Sequence, residues 1–111
     1  VDIDGTLITN SSHHFPPYIG SGEPIENNID FLADLHEQGK TRIILTTSRP
    51  EKYRQLTIME LQTKGVPFDE LVMSLPHCQR IIINDFARSN QYPSCKAINI
   101  PRNTDDLKEY F

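Results

Sequence analysis

The spacing of apolar residues predicts two helices in the first two thirds of the chain. The first has apolar side chains at intervals of three or four residues, on one face of a helix: Ile25, Ile29, Leu32 and Leu35. Pro24 suits its first turn and Gly39 suits its end. The second covers residues 51–64 and ends at Gly65. A short final helix is predicted over residues 105–111.

Between the helices lie continuous apolar runs, which predict strands that are covered on both faces. They occupy residues 1–4, 42–47, 71–73, 80–84 and 97–100. Because these strands alternate with helices, the sequence predicts an α/β fold: a parallel sheet of about five strands with helices on both faces, in three layers. Residues 7–22 are rich in Gly, Pro, Ser and Asn and are predicted to form one long loop.

Length, charge and cysteine content narrow the classes of function. A chain of 111 residues is expected to form a single domain over residues 1–111. Its 15 acidic residues outnumber its 11 Lys and Arg, which argues against nucleic-acid binding through a basic face. Its apolar runs are too short for a membrane-spanning helix. Cys78 and Cys95 are expected to be buried thiols in a reducing cytosol, so we expect a cytoplasmic protein.

Polar side chains follow the predicted strands at their carboxyl ends, where a parallel sheet of this kind places its active site. Asp2 and Asp4 are two residues apart on a strand, so both carboxylates are expected to point to one side. Their charges repel one another unless something compensates them, and a divalent cation would do so. Gly5 lets the backbone turn close to a ligand, and Thr6 offers a hydroxyl beside it.

Three segments resemble motifs of the haloacid-dehalogenase-like hydrolases, which are chiefly Mg²⁺-dependent phosphatases with an aspartate nucleophile. VDIDGTL matches the first motif of that family, IILTTSR the second and IIIND the fourth, in the right order. The resemblance implies a Rossmann-like sheet, and the intervals between the motifs are too short to hold a cap domain. The second motif points to Thr47, with Thr46 as the alternate. In the fourth, Asp85 matches and Asn84 replaces an acid.

The resemblance implies a chemical role for each matching residue. Asp2 is the expected nucleophile, which forms an aspartyl-phosphate, and Asp4 is the expected acid and base for the leaving group and the attacking water. Thr47 is expected to donate a hydrogen bond to a phosphoryl oxygen. Mg²⁺ is the expected cofactor, held by Asp2, by Asp4 through its backbone carbonyl, and by Asp85.

The third motif of the family, a lysine that holds the phosphoryl group, has no match, because no Lys lies between Gly65 and Cys95. Arg49 or Arg80 is expected to replace it, since an arginine fork also binds phosphate. The phosphate site is further expected to include three small residues: Gly5, Thr6 and Thr46. The missing lysine leaves an alternative open: a non-catalytic domain that binds a phosphorylated ligand, as an accessory part of a larger sugar-nucleotide or polysaccharide enzyme.

The stretch INDFARSNQYPSCKAINIPRN resembles the tail of small bacterial phosphatases of sugar and capsule biosynthesis. This implies a phosphorylated sugar or a related metabolite as substrate. The charge balance and the short apolar runs argue against a nucleic acid or a membrane as partner. Some such domains are fused to sugar nucleotidyltransferases, and a site without a cap needs a bulky substrate or a neighbouring subunit to close it. We therefore expect either a homo-oligomer or a fusion to another catalytic domain.

The long loop carries candidate contacts to the substrate. In the family, the loop after the first motif covers the site, so His13, His14 and Tyr18 are candidate contacts to the leaving group. A zinc site at the two histidines would need further ligands, and the sequence offers none at a workable spacing. A receiver-type signalling domain is a third alternative, although its phosphorylated Asp would end a middle strand, whereas the acid pair of this chain lies at its first strand.

Because only Val1 precedes Asp2, we expect the chain to be a fragment whose first strand begins earlier.

Overall fold

The computed structural model describes residues 1–10 and 19–111. Helix α1 spans Glu26–Glu37 and helix α2 spans Arg54–Thr63, the latter preceded directly by a 3₁₀ turn at Glu51–Tyr53. Both helices predicted from apolar spacing are confirmed, to within a few residues at each end. The last predicted helix is wrong in type, because the chain forms only a four-residue 3₁₀ turn there, at Leu107–Tyr110.

Two parallel strands form the sheet of the described residues. β1 spans Ile44–Thr46 and β2 spans Glu70–Val72, and both fall within or beside strands that the apolar runs predict. Asp2 adds a single parallel bridge to Thr46, whose backbone N–H donates to the carbonyl of Val1 at 2.8 Å. The first residues of the chain therefore lie beside β1, although they form no continuous ladder with it.

One apolar core joins the N-terminal segment, both helices and β1. Its most deeply buried aliphatic side chains have no exposed surface at all: Ile3, Leu7, Leu45 and Leu61. The inward face of α1 adds Ile29 and Leu32, as the spacing of apolar residues predicts. Burial of each such side chain stabilises the fold by about 1.5–3 kcal/mol relative to its exposure.

Asn28 is a fully buried polar residue that joins three parts of the chain. Its side-chain amide donates to the backbone carbonyls of Thr6 and Thr104 at 2.8 Å each, and its Oδ1 accepts from the N–H of Leu107 at 3.1 Å. Its amide hydrogens and its oxygen are thus all bonded, as burial demands. These bonds fix the turn that follows Asp4 against α1 and against the C-terminal segment.

The predicted five-stranded, Rossmann-like sandwich is wrong. The described residues form one sheet of two strands, and neither residues 80–84 nor residues 97–100 are strands. The isoleucines expected to fill a central strand are exposed instead, Ile81 by 75%, Ile82 by 74% and Ile83 by 92%. A continuous apolar run shows only that a segment is suited to burial. A strand also needs a hydrogen-bonded neighbour, and the backbone of residues 80–84 bonds to none of the described residues.

Residues 76–97, which we call the exposed segment, are exposed throughout. Cys78 and Cys95 both lie in it as free, exposed thiols, so their expected burial is wrong. Beyond it the chain returns to the core, where Ile98 and Ile100 pack as half-buried side chains.

No helix in the described part of the chain is both long enough and apolar enough to cross a membrane.

Candidate functional site

The turn after Asp4 forms as its Asp-Gly pair predicts. Gly5 has a φ of +92°, in the left-handed region, and a Cβ at this position would lie 3.0 Å from the Cγ of Arg102. Its N–H donates to the carbonyl of Ile8 at 2.7 Å, and the N–H of Thr6 donates within the same turn at 3.2 Å. Gly5 and Thr6, expected to line a phosphate site, therefore use their backbone N–H groups inside the turn.

Asp2, Thr46 and Arg80 meet at the end of β1, and we call them the outer cluster. The Nη1 of Arg80 donates to Oδ1 of Asp2 and to Oγ1 of Thr46, at 3.1 Å in each case. The side chains of Asp2 and Arg80 are 42% and 40% exposed. A carboxylate, a hydroxyl and a guanidinium thus lie together within reach of solvent.

Asp4 belongs to a second, buried group. Arg49 donates to both carboxylate oxygens of Asp4, from Nε at 2.9 Å and from Nη2 at 2.7 Å, in the forked geometry that guanidinium and carboxylate favour. The remaining Nη1 donates to Glu60 at 2.7 Å and to the hydroxyl of Thr57 at 3.4 Å. Only 19% of the Asp4 side chain is exposed, against 6% for Arg49 and 3% for Glu60.

Lys64 completes this group, because its ammonium binds the second carboxylate oxygen of Glu60. We call Asp4, Arg49, Thr57, Glu60 and Lys64 the inner cluster. Burial opposes the charge of Arg49, but hydrogen bonds to Asp4 and Glu60 outweigh it and raise the pKa of the guanidinium above its ordinary value. No buried side-chain N or O atom in the described part of the chain lacks a hydrogen-bond partner.

Thr47, the expected donor to a phosphoryl oxygen, is only 1% exposed. Its hydroxyl accepts a hydrogen bond from the backbone N–H of Arg49 at 3.1 Å, and its own N–H donates to the carbonyl of Val72 at 2.9 Å. The neighbouring hydroxyl of Thr46 is the one that contacts Arg80. The structure therefore places the alternate threonine in the outer cluster and builds Thr47 into the fold.

The structure shows no preformed Mg²⁺ site at the groups expected to build one, which are the carboxylates of Asp2 and Asp85 and the backbone carbonyl of Asp4. Asp85 lies in the exposed segment, and residues 1–10 and 19–111 contain no group of three or more His, Cys, Asp or Glu side chains suited to a metal. Asp2 and Asp4 are instead each bound by an arginine, which supplies the positive charge that two neighbouring carboxylates need. These residues, as arranged, do not fit Mg²⁺, so the chemistry derived from this geometry does not pass through a metal.

Sequence reasoning missed the members of the inner cluster that come from α2 and its end. Thr57, Glu60 and Lys64 are spaced three and four residues apart, which puts them on one face of the helix beside the buried Leu61. The signal that could have found them is an acid and a base at inward positions of a predicted helix, since a buried charge needs a partner.

The candidate contacts of the covering loop, His13, His14 and Tyr18, lie outside the described residues.

Comparison of the chain with protein-family models, with curated proteins and with solved structures finds no match. What the chain does is therefore inferred from its motifs and from the geometry of the two clusters.

Proposed function

We propose that this chain is a phosphomonoester hydrolase that works through an aspartyl-phosphate on Asp2. The outer cluster is the observation that carries the proposal: a half-exposed carboxylate beside a guanidinium nitrogen that lies 3.1 Å from it and 3.1 Å from a hydroxyl. Phosphoryl transfer needs a nucleophile and donors for the phosphoryl oxygens, and these three side chains supply both. The order of the three motifs along the chain supports the same reaction.

In the proposed reaction, a carboxylate oxygen of Asp2 attacks the phosphorus atom while the ester P–O bond breaks. Asp4 enters this step protonated, having taken a proton from water, and it gives that proton to the leaving alkoxide, which departs as an alcohol. A water molecule then gives a proton to Asp4 and attacks the phosphorus, which breaks the bond to Asp2 and releases inorganic phosphate. Arg80 and Thr46 hold phosphoryl oxygens through both steps.

Arg80 takes the place of the missing lysine in this proposal. Its bond to Asp2 is long for a charge-assisted hydrogen bond and is open to solvent, so a phosphoryl oxygen can replace it at little cost. Arg49 is unsuited to the role, because its three side-chain nitrogens already donate to partners in the inner cluster. The difference in burial between the two guanidinium groups thus favours Arg80.

The test measures phosphate release from a panel of sugar phosphates, the substrate class that the resemblance of residues 83–103 implies. We expect release by the wild type and a loss on the order of 10³-fold in Asp2→Asn, since the amide cannot form the covalent intermediate. Asp30→Asn is the matched control, because Asp30 is an exposed aspartate of α1, and it is expected to keep full activity. Parallel assays with Mg²⁺ and with EDTA test the dependence on Mg²⁺ that the resemblance of the motifs implies, which stays a prediction.

Each other outcome has a defined meaning. Absence of release from every sugar phosphate, or equal rates for the wild type and Asp2→Asn, would contradict the proposal. Saturable binding of a sugar phosphate without turnover would favour the non-catalytic phospho-ligand-binding domain. Labelling of Asp85 instead of Asp2 by acetyl phosphate would favour a receiver-type domain.

A further inference from the structure

We propose that Glu60 is a positioning residue for this reaction: it orients Arg49, which in turn holds the carboxylate of Asp4. The inference rests on the proposed function, because that function assigns proton transfer to Asp4. Glu60 does not touch the substrate and acts only through Arg49, to which it is bound at 2.7 Å.

The guanidinium of Arg49 is held from two opposite sides. Nε and Nη2 face Asp4, whereas Nη1 faces the helix, where its acceptors are Glu60 at 2.7 Å and Thr57 at 3.4 Å. Because a guanidinium is planar, its plane is fixed once both sides are satisfied. The acceptors supplied by α2 therefore set the plane in which the Asp4 carboxylate is held.

Of the two acceptors that α2 offers to Arg49, Glu60 is the more important, because it carries a charge and Thr57 does not. The inner cluster holds two carboxylates, of Asp4 and Glu60, and two cations, of Arg49 and Lys64. Without the charge of Glu60, both cations would have Asp4 as the one remaining anion of the cluster. Nη1 of Arg49 would then have no charged acceptor on the helix side, and the plane of its guanidinium would be held less firmly, in a site where water screens little.

Leaving-group dependence distinguishes this role from a general loss of structure. A sugar phosphate expels a basic alkoxide, which needs the proton of a well-placed Asp4, whereas p-nitrophenyl phosphate expels a stable phenolate, which does not. We expect Glu60→Gln to lower kcat for sugar phosphates by roughly 100-fold and kcat for p-nitrophenyl phosphate by less than about threefold. KM is expected to stay within about twofold, because the outer cluster binds the phosphoryl group.

The matched control is Glu51→Gln, the same substitution in an exposed carboxylate that pairs with Arg54 at the surface. It is expected to leave both rates unchanged. Thr57→Val provides a second variant should Glu60→Gln fail to fold, since it keeps the shape of the side chain and removes an acceptor of Arg49. It is expected to show the same selectivity for leaving group with a smaller loss, about threefold on sugar phosphates.

The outcomes separate this inference from the function on which it rests. A wild type that hydrolyses both substrates, with Glu60→Gln and Thr57→Val slowing both to the same degree or not at all, overturns the positioning role and leaves the phosphatase standing. A wild type that hydrolyses neither substrate overturns the proposed function itself.

Discussion

Two arginine–aspartate pairs, whose aspartates are only two residues apart, differ in nearly every physical respect. Asp4 and Arg49 share two hydrogen bonds, of 2.7 and 2.9 Å, and their side chains are 19% and 6% exposed. Asp2 and Arg80 share one contact of 3.1 Å, and their side chains are 42% and 40% exposed. Alternate positions on one short segment thus give one carboxylate whose two oxygens are both held by a buried arginine and one that is open to solvent.

The difference comes from where each arginine is attached. Arg49 follows β1 closely, its carbonyl accepts from the N–H of Ser74 at 2.9 Å, and its side chain has further acceptors on α2. Arg80 lies in the exposed segment, where the fold restricts its side chain far less. A charge held by several buried partners is costly to disturb, whereas an exposed pair contributes little and is readily exchanged for a ligand.

Substitution of the two arginines is the most direct way to break this comparison and is expected to have the largest effect. Arg49→Met leaves the carboxylates of Asp4 and Glu60 buried without their guanidinium, which is expected to lower the free energy of unfolding by about 3–5 kcal/mol. Arg80→Met is the matched substitution in the exposed pair and is expected to cost less than about 1 kcal/mol. Urea unfolding of both variants provides the measurement, and similar losses would show that the two pairs are not different in kind.

The affinity for inorganic phosphate tests whether Arg80, the exposed arginine of the two pairs, is the one that binds ligand. Arg80→Met is expected to weaken binding of inorganic phosphate by roughly 10- to 100-fold, as befits the loss of a charged hydrogen bond of about 1.5–3 kcal/mol. Titration calorimetry, or inhibition by phosphate, measures it. Arg88→Met is the control, because Arg88 is an exposed arginine of the same segment. An unchanged affinity in Arg80→Met, or an equal loss in Arg88→Met, would remove Arg80 from the site.

The inner cluster shows where sequence reasoning succeeds and where it stops. Asp4, Gly5 and Arg49 stand out in the sequence, and the turn at Gly5 follows from the one residue type that adopts its φ without strain. The pairing of Asp4 with Arg49, however, spans 45 residues and depends on how the segments pack. Glu60 is invisible to motif reasoning because its function here is to hold another side chain.

In the exposed segment, by contrast, the sequence predicts a strand that the structure does not contain. Ile81 and Ile83 have the composition of a buried strand, and composition alone predicts a sheet partner that the described residues do not provide. Pairing of strands is a non-local property, so a run of three branched residues fixes neither its neighbour nor its burial. Helices α1 and α2 were predictable because their hydrogen bonds and apolar faces are local.

Asp69 is intermediate between Asp2 and Asp4. Its side chain is 33% exposed, but it accepts one hydrogen bond from a backbone N–H, whose position the fold fixes. It accepts from the N–H of Ile43 at 2.7 Å and lies 3.2 Å from the Nε2 of His36. The bond from Ile43, and next the bond from His36, lower the pKa of Asp69 below its ordinary value of 3.8. Asp69 therefore stabilises the fold above that unfolded-state value, and its contribution disappears as the pH falls through the lower, folded-state value.

Asp69→Asn is accordingly expected to lower stability at neutral pH and to differ less from the wild type as the solution becomes acidic. Urea unfolding from about pH 6 to about pH 2 measures the difference at each pH. Asp34→Asn is the control, because Asp34 is an exposed aspartate of α1, and its difference from the wild type is expected to stay small throughout. If the free energy of unfolding of Asp69→Asn differs from that of the wild type by the same amount at every pH, the hydrogen bond from Ile43 does not depend on the charge of Asp69.

The smallest effect is expected at Ile83, in the segment that carries Arg80. Its side chain is 92% exposed, so Ile83→Ser removes no buried apolar contact and is expected to change the free energy of unfolding by less than about 0.5 kcal/mol. Leu45→Ala, at a position of β1 with no exposed surface, is the matched truncation and is expected to cost about 2–5 kcal/mol. A loss in Ile83→Ser close to that in Leu45→Ala would mean that the exposed segment packs against the core, and Arg80 would then be as firmly held as the arginine of the inner cluster.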